Sequence, residues 1–231
     1  MVFVHRTSAS GKSYNPVFAD NDWADIIEAC HANEVPDTWV ADGTCYKDML
    51  INGTNYRIDI IGKNHDDLAD GTGKAPLTFQ MHDCYGTTYQ MNSSNTNSGG
   101  WTNCAMRSTR LPAILALMPA EVQAGIREVQ KKTSAGNKSS SIQTTNDKLF
   151  LLSEIEIFGS TTYSFAGEGT QYEYYQAGNS KVKNLSGGAY SWWDRSPRSS
   201  NTTYFCYVKS SGSAATDGAI YFRGVAFAFC F

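Results

Sequence analysis

Trp192-Trp193-Asp194-Arg195-Ser196-Pro197, then Phe205-Cys206-Tyr207-Val208, then Gly224-Val225-Ala226-Phe227-Ala228-Phe229-Cys230, are the runs whose reading decides the fold. They are short, aromatic-rich and separated by glycines and small polar residues, which is the pattern of short strands in a loop-rich β region. Trp192, Trp193, Arg195, Ser196, Pro197, Phe205, Cys206, Val208, Gly212, Gly224 and Val225 read as scaffold. Arg198, Ser199, Thr203, Tyr204, Tyr207, Ser211, Ser213, Ala215, Thr216, Asp217, Ile220, Tyr221, Phe222 and Arg223 follow neither strand alternation nor a buried run. More than half of residues 186–223 are Ser, Gly, Tyr, Thr or Asn, the palette of antibody paratopes, where Tyr supplies rigid contact area and Ser, Thr and Asn adaptable hydrogen bonds. The plain alternative is a loop-rich β region whose aromatics are simply core.

Upstream of Gly159 the signals are more conventional. Trp23, Ile26, Ile27 and Cys30 fall on one face of a helix over about 23–33, with Asp22 as N-cap and Pro36 ending the pattern. Tyr46–Ile51 and Tyr56–Ile61 flank Asn52-Gly53, a strong hairpin signal. Leu77–Cys84 reads as a strand, and Gly62–Pro76 and Gly86–Gly100 as polar loops. Cys104–Leu117 reads as a helix in which Pro112 makes a kink or divides two abutting helices, and Pro119 opens another. Residues 132–147 read as a loop, and Leu149–Phe158 as a strand with a possible break at Leu152-Ser153. The whole predicts an α+β domain over 21–231, with two or three helices before the loop-rich β region, and an amino-terminal arm or linker over 1–20.

Composition narrows function. The 231 residues are 41% hydrophobic but only 18% charged, with a net charge of -3, so the basic footprint of a nucleic-acid binder is missing. No stretch approaches the roughly 20 apolar residues of a membrane helix. No signal peptide is expected at the amino terminus, so Cys30, Cys45, Cys84, Cys104, Cys206 and Cys230 are expected to be reduced and mostly buried. None forms a CxxC pair. Ser10-Gly11-Lys12-Ser13 ends like a phosphate-binding loop, but the earlier glycine is replaced by Arg6. Asp66, Asp67 and Asp70 offer oxygen ligands, yet their spacing is not that of a calcium loop, and a capped, solvated turn is the expectation. His82-Asp83 is an acid/base pair without an identifiable nucleophile. The sequons at Asn52, Asn92, Asn137, Asn184 and Asn201 are what an Asn/Ser/Thr-rich chain produces by chance. No cofactor or metal is expected.

The runs 192–197, 205–208 and 224–230 resemble the end of the variable proteins of diversity-generating retroelements, in particular tail or surface ligand-binding proteins of gut phages and prophages. Upstream, Asn64–Gly71, Asn95–Trp101, Lys132–Lys138 and Lys148–Glu154 resemble a domain of uncharacterised function found in the same setting. The resemblance implies a C-type lectin-like fold, often of the formylglycine-generating-enzyme subtype. It also implies a segment, here about 190–230, rewritten by mutation at template adenines, which scatters Asn codons into Ser, Thr, Tyr, Asp, Ala, Ile, Phe, Arg and Gly among others. The off-pattern residues above, with Asp194, would then be variable ligand-contacting positions, and Trp192, Trp193, Arg195, Pro197, Phe205, Cys206 and Gly224 the fixed scaffold. The implied ligand is a bacterial surface protein or glycan, and the setting a virion or cell surface with possible homo-oligomers. Cys206 and Cys230 are far apart and no redox pair matches the enzyme subtype, so the expectation is a binding protein and not an enzyme. An enzyme using His65, Asp66, His82 or a Cys, and a structural fibre or decoration protein, are the competing readings.

Overall fold

The computed structural model describes residues 12–231; the phosphate-loop-like motif lies partly outside them. Within the expected arm, the stretch from Tyr14 onward is docked rather than free. Phe18 is buried against Trp39 and Phe79, and Asn15 accepts from the Trp39 indole. The first helix, α1 (Trp23–His31), buries Trp23, Ile26 and Cys30 of the face its spacing predicts, together with Ala29, while Ile27 is half-buried against the core. Asp22 is at its N-cap, but its side chain makes no capping bond.

Strands β1 (Tyr46–Ile51) and β2 (Thr54–Lys63) turn at Asn52-Gly53, both at positive φ as a type I′ turn requires. β2 pairs with β3 (Leu77–Met81), which is shorter than the expected strand and buried along its whole length. The helical stretch after it is divided: α2 (Gly100–Asn103), a π-turn at Met106–Arg110, then α3 (Leu111–Leu115). Pro112 sits in the first turn of α3, where its missing N–H breaks no helical bond. Pro119 is the N-cap of α4 (Ala120–Gly125).

Residues 132–147 are no loop but most of a hairpin, β4 (Val129–Gly136) and β5 (Ser139–Asp147). Their polarity hid them, because the inward positions are Lys131, Thr133, Ser134, Thr145 and Asp147, each buried. Leu149–Phe158 is no strand. Residues 149–153 are buried without forming a regular strand, Phe150 making a single bridge to Ala228, and α5 (Glu154–Phe158) follows. Ser153 and Glu156 form a reciprocal capping box that starts α5. Gly159 ends it at φ +73. A further helical turn, α6 (Glu173–Gln176), interrupts the region expected to be free of helix.

The chain finishes with β6 (Lys183–Leu185), β7 (Gly188–Tyr190), β8 (Trp192–Pro197), β9 (Tyr204–Val208), β10 (Ala214–Gly218) and β11 (Ala228–Cys230). The central antiparallel sheet has the order β1-β2-β3-β11, so the last strand closes a sheet begun near the amino terminus. Phe79, Phe229 and Phe231 form an aromatic cluster with Trp23. A smaller sheet, β10-β9-β8, carries the carboxy-terminal segment. The class is α+β. No helix of the described residues is long and apolar enough to cross a membrane.

β8 joins this small sheet to the core through a bulge. Trp193 pairs with Tyr207 and Pro197 with Phe205, so Asp194, Arg195 and Ser196 lie across a register break. Alternation is lost there, and all three point inward. Arg195 is fully buried. Its two Nη groups clasp Glu156 and also donate to the carbonyls of Leu151, Lys132 and Glu168, and its Nε donates to Thr133. Lys131 joins Glu156 to Asp66, at 2.7 Å from each. Asp66 also accepts from Thr78 at 2.6 Å and from the Tyr172 hydroxyl. Although burial opposes its charge, Lys131 helps hold the Asp66 carboxyl down at about 2.

Breaking one member of such a pair strands a buried charge and costs on the order of 3–5 kcal/mol. Glu156→Ala is therefore expected to lower the urea midpoint by that equivalent; a loss under about 1 kcal/mol would show that the fold does not depend on the pair. A second expectation concerns pH. Glu168 accepts from the Ser134 N–H at 2.8 Å and from the Ser196 hydroxyl, and burial raises its carboxyl from 4.5 to about 7. The folded state then holds a proton the unfolded chain releases, so this group's contribution is full below pH 4.5 and is lost as pH rises through about 7. Wild type should lose stability across that window in denaturation scans, and Glu168→Gln should flatten the slope.

Candidate functional site

The off-pattern residues gather on β9, β10 and the loops that border them. β9 and β10 are in antiparallel register, with Tyr207 opposite Ala215, Thr216 opposite Cys206 and Gly218 opposite Tyr204. Alternation therefore divides the set between two faces of the small sheet. Tyr207 and Asp217 belong to one face. There Arg223 lies 3.5 Å above the Tyr207 ring and pairs with Asp217. Tyr204 and Thr216 belong to the other, where Arg198 donates to Thr216 Oγ1 at 3.0 Å. Ser199 is tied to the Tyr163 carbonyl by both its N–H and its hydroxyl. Ser211 and Ser213 stand at the β9–β10 turn, their hydroxyls 3.0 Å apart. Tyr221 and Phe222, 54% and 59% exposed, follow β10, with Ile220 partly covered beside them. Thr203 is half-buried, its hydroxyl donating to Asn201.

Two of the expected contact positions are corrected. Asp194 is fully buried behind the β8 bulge, where burial and the nearby Glu154 carboxylate push its carboxyl well above the usual range. Ala215 is 7% exposed, because its side chain shares the face on which Arg223 covers Tyr207. Neither presents a side chain to a ligand. Trp192, Trp193, Arg195, Pro197, Phe205, Cys206 and Gly224 are all buried. Gly224 has no room for a side chain, since a Cβ there would lie 2.4 Å from Cys84 Sγ.

The loop Gly86–Gly100, read only as polar, is the buttress of this surface. Tyr89 and Arg223 exchange backbone hydrogen bonds, and the Trp193 indole donates to the Tyr89 carbonyl. The Gln90 amide reaches the Ile220 carbonyl at 2.6 Å, and Asn92 N–H donates to Ala219. Asn97 is fully buried. Its amide donates to the carbonyls of Asn201 and Tyr204, each at 2.8 Å, and its carbonyl oxygen accepts from Asn137 N–H. No periodic pattern marks these residues, because they act through individual hydrogen bonds to distant segments rather than through a packed face.

The remaining candidates fall elsewhere. Asp66 belongs to the buried ionic network, which corrects the solvated-turn reading for that residue. Asp67 pairs with Lys74, and Asp70 caps Thr72 and pairs with Arg127. Among the described residues no group of His, Cys, Asp and Glu is arranged to hold a metal ion. His65 stacks on Tyr172 beside Glu173. His82 bonds Asp59 at 2.6 Å, not its neighbour Asp83. All six cysteines are free thiols; five are buried and Cys45 is half-buried.

With this geometry in hand, comparison with known proteins places the chain in one family. Residues 74–231 match the family described as Domain of unknown function (DUF6273), and the chain belongs to it. The match includes every strand of the small sheet and the Gly86–Gly100 buttress. No curated protein and no solved structure matches the chain.

Asn97→Ala removes three hydrogen bonds from one buried amide. A stability loss of about 2–3 kcal/mol is expected, with amide exchange accelerating at Thr202–Tyr204 before the central sheet. Equal acceleration in β3 would mean that Asn97 serves the whole fold and not the surface loop.

Proposed function

We propose that this protein is a ligand-binding protein with a diversified carboxy-terminal surface, of the kind made by diversity-generating retroelements, and that it is not an enzyme. The observation that carries the reading is the separation of two residue sets within one short segment. The scaffold residues of 192–225 other than the turn glycine Gly212 are buried, whereas Arg198, Ser199, Thr203, Tyr204, Tyr207, Ser211, Ser213, Thr216, Asp217, Ile220, Tyr221, Phe222 and Arg223 all retain exposure. A surface that must change without unfolding its carrier needs this division, because substitutions at exposed positions cost little stability. A C-type lectin-like fold agrees with a carboxy-terminal strand that closes the central sheet and a loop-rich region raised on it. Binding uses Tyr and Arg, the residue types that dominate interface hot spots, with Phe, among small hydroxyl residues that supply adaptable hydrogen bonds as in paratopes.

The ligand in this reading is a bacterial surface protein or glycan, met from a phage tail, virion or cell surface. Display in several copies, as a homo-oligomer or on a particle, would add avidity to modest single-site affinity. His65 and Asp66 on one side, and His82 with Asp59 on the other, are engaged in separate clusters, which favours binding over catalysis.

The test is the coding locus. It should contain a near-copy of the segment encoding about 190–230, differing at adenines and lying beside a reverse transcriptase gene; a locus without the repeat sinks the diversification reading. For the protein, Tyr221→Ala and Phe222→Ala are expected to change stability by less than about 0.5 kcal/mol. Both should weaken capture of the cognate cells by about tenfold or more.

A further inference from the structure

Two arginines belong to the candidate surface, and they differ in charge balance. Arg223 is neutralised: it pairs with Asp217 and lies over the Tyr207 ring. Arg198 meets only neutral groups. Its Nε donates to Ser200 Oγ at 3.1 Å and its Nη1 to Thr216 Oγ1 at 3.0 Å. Its guanidinium carbon lies 5.7 Å from the centre of the Tyr163 ring and 5.8 Å from that of Tyr204. No carboxylate among the described residues forms an ion pair with it. Glu154, which underlies this corner, has its oxygens occupied by Tyr163 N–H, Ser164 N–H and the Ser164 hydroxyl.

A guanidinium carries five N–H donors and no acceptor, so bonds to two hydroxyls leave donors unfilled and the charge without an ion-pair partner. Ser200 and Thr216 accept from Arg198, which frees their own hydroxyl protons to donate outward. A carboxylate approaching the open edge therefore meets a charged donor flanked by neutral ones, the arrangement that gives short, charge-assisted bonds. The surroundings select what carries the carboxylate. Tyr163 and Tyr204 flank the guanidinium, and the Tyr221 ring approaches Gly218, directly opposite Tyr204 in the register. Phenol rings offer stacking faces to a sugar ring, and Ser199, Ser200, Thr203 and Thr216 offer hydroxyl partners to a polyol.

Resting on the binding role proposed above, we infer that the ligand of this variant is an acidic glycan, and that Arg198 receives its carboxylate. Arg198 is a specificity-determining contact, and the Asp217–Arg223 pair is part of the platform.

The experiment uses the purified full chain on a glycan array holding uronate-bearing, sialylated, sulfated and neutral glycans, with oligoglutamate peptides as a second source of carboxylate. Binding concentrated on carboxylated glycans is expected, falling by about tenfold or more in Arg198→Gln. Lys209→Gln removes the same charge from the exposed β9–β10 turn and should cost less than about twofold. Equal losses in the two variants, stronger binding of sulfated or neutral glycans, preference for oligoglutamate, or no glycan binding would each overturn the inference. If Tyr221→Ala abolishes ligand capture while Arg198→Gln does not, the binding surface stands and the acidic ligand falls. If the locus lacks a repeat while uronate binding depends on Arg198, diversification falls and the anion site stands.

Discussion

The clasp between Arg195 and Glu156 is the constraint on which the rest of the structure depends. A guanidinium removed from water survives only if its charge and its donors are answered, and here they are answered by four separate pieces of chain. Glu156 comes from α5, the carbonyls from residues 132, 151 and 168, and the Thr133 hydroxyl from β4. Lys131 extends the network to Asp66 and, through it, to Thr78 on β3. The small sheet is thereby fastened to the central sheet from beneath, by groups that never reach the surface.

That placement has a consequence for electrostatics. Asp66, Glu154, Glu156, Glu168 and Asp194 are all buried, and Lys131 and Arg195 are the cations set among them. Burial raises Glu168 and Asp194, which have no cationic partner, whereas Lys131 and Arg195 hold Asp66 and Glu156 down against the same burial. The network thus orders the interior by charge as well as by shape. In the proposed function this matters because the exposed residues of 198–223 contribute little to holding the sheet in place and can differ without loosening it.

Much of the framework was legible in the sequence. Helix α1 showed its apolar face, and the β1–β2 hairpin showed Asn52-Gly53, because both signals are local and repeat at the period of the element. The β4–β5 hairpin was not legible. Its inward residues Lys131, Thr133, Ser134, Thr145 and Asp147 look like loop composition until their partners on other elements are known. The short helix α5 had a readable signal, Ser153 followed by Glu156, obscured by the apolar run before it. On the candidate surface, the exposed members were visible as departures from any packing period. Asp194 and Ala215 were misread because a bulge in β8 and the cover of Arg223 are invisible to strand alternation.

By itself, the sequence determined the α+β class, the helix and hairpin at the amino-terminal end, and the contrast between a patterned framework and an unpatterned carboxy-terminal set. These follow from periodicity and turn chemistry, which act between residues close in the chain. Only the tertiary structure decided which polar residues lie inside, which loop supports the surface, and which of two arginines keeps an unanswered charge. Each of those depends on a hydrogen bond or ion pair between distant segments, and the free energy of such a bond is set by the partner and the burial that folding supplies.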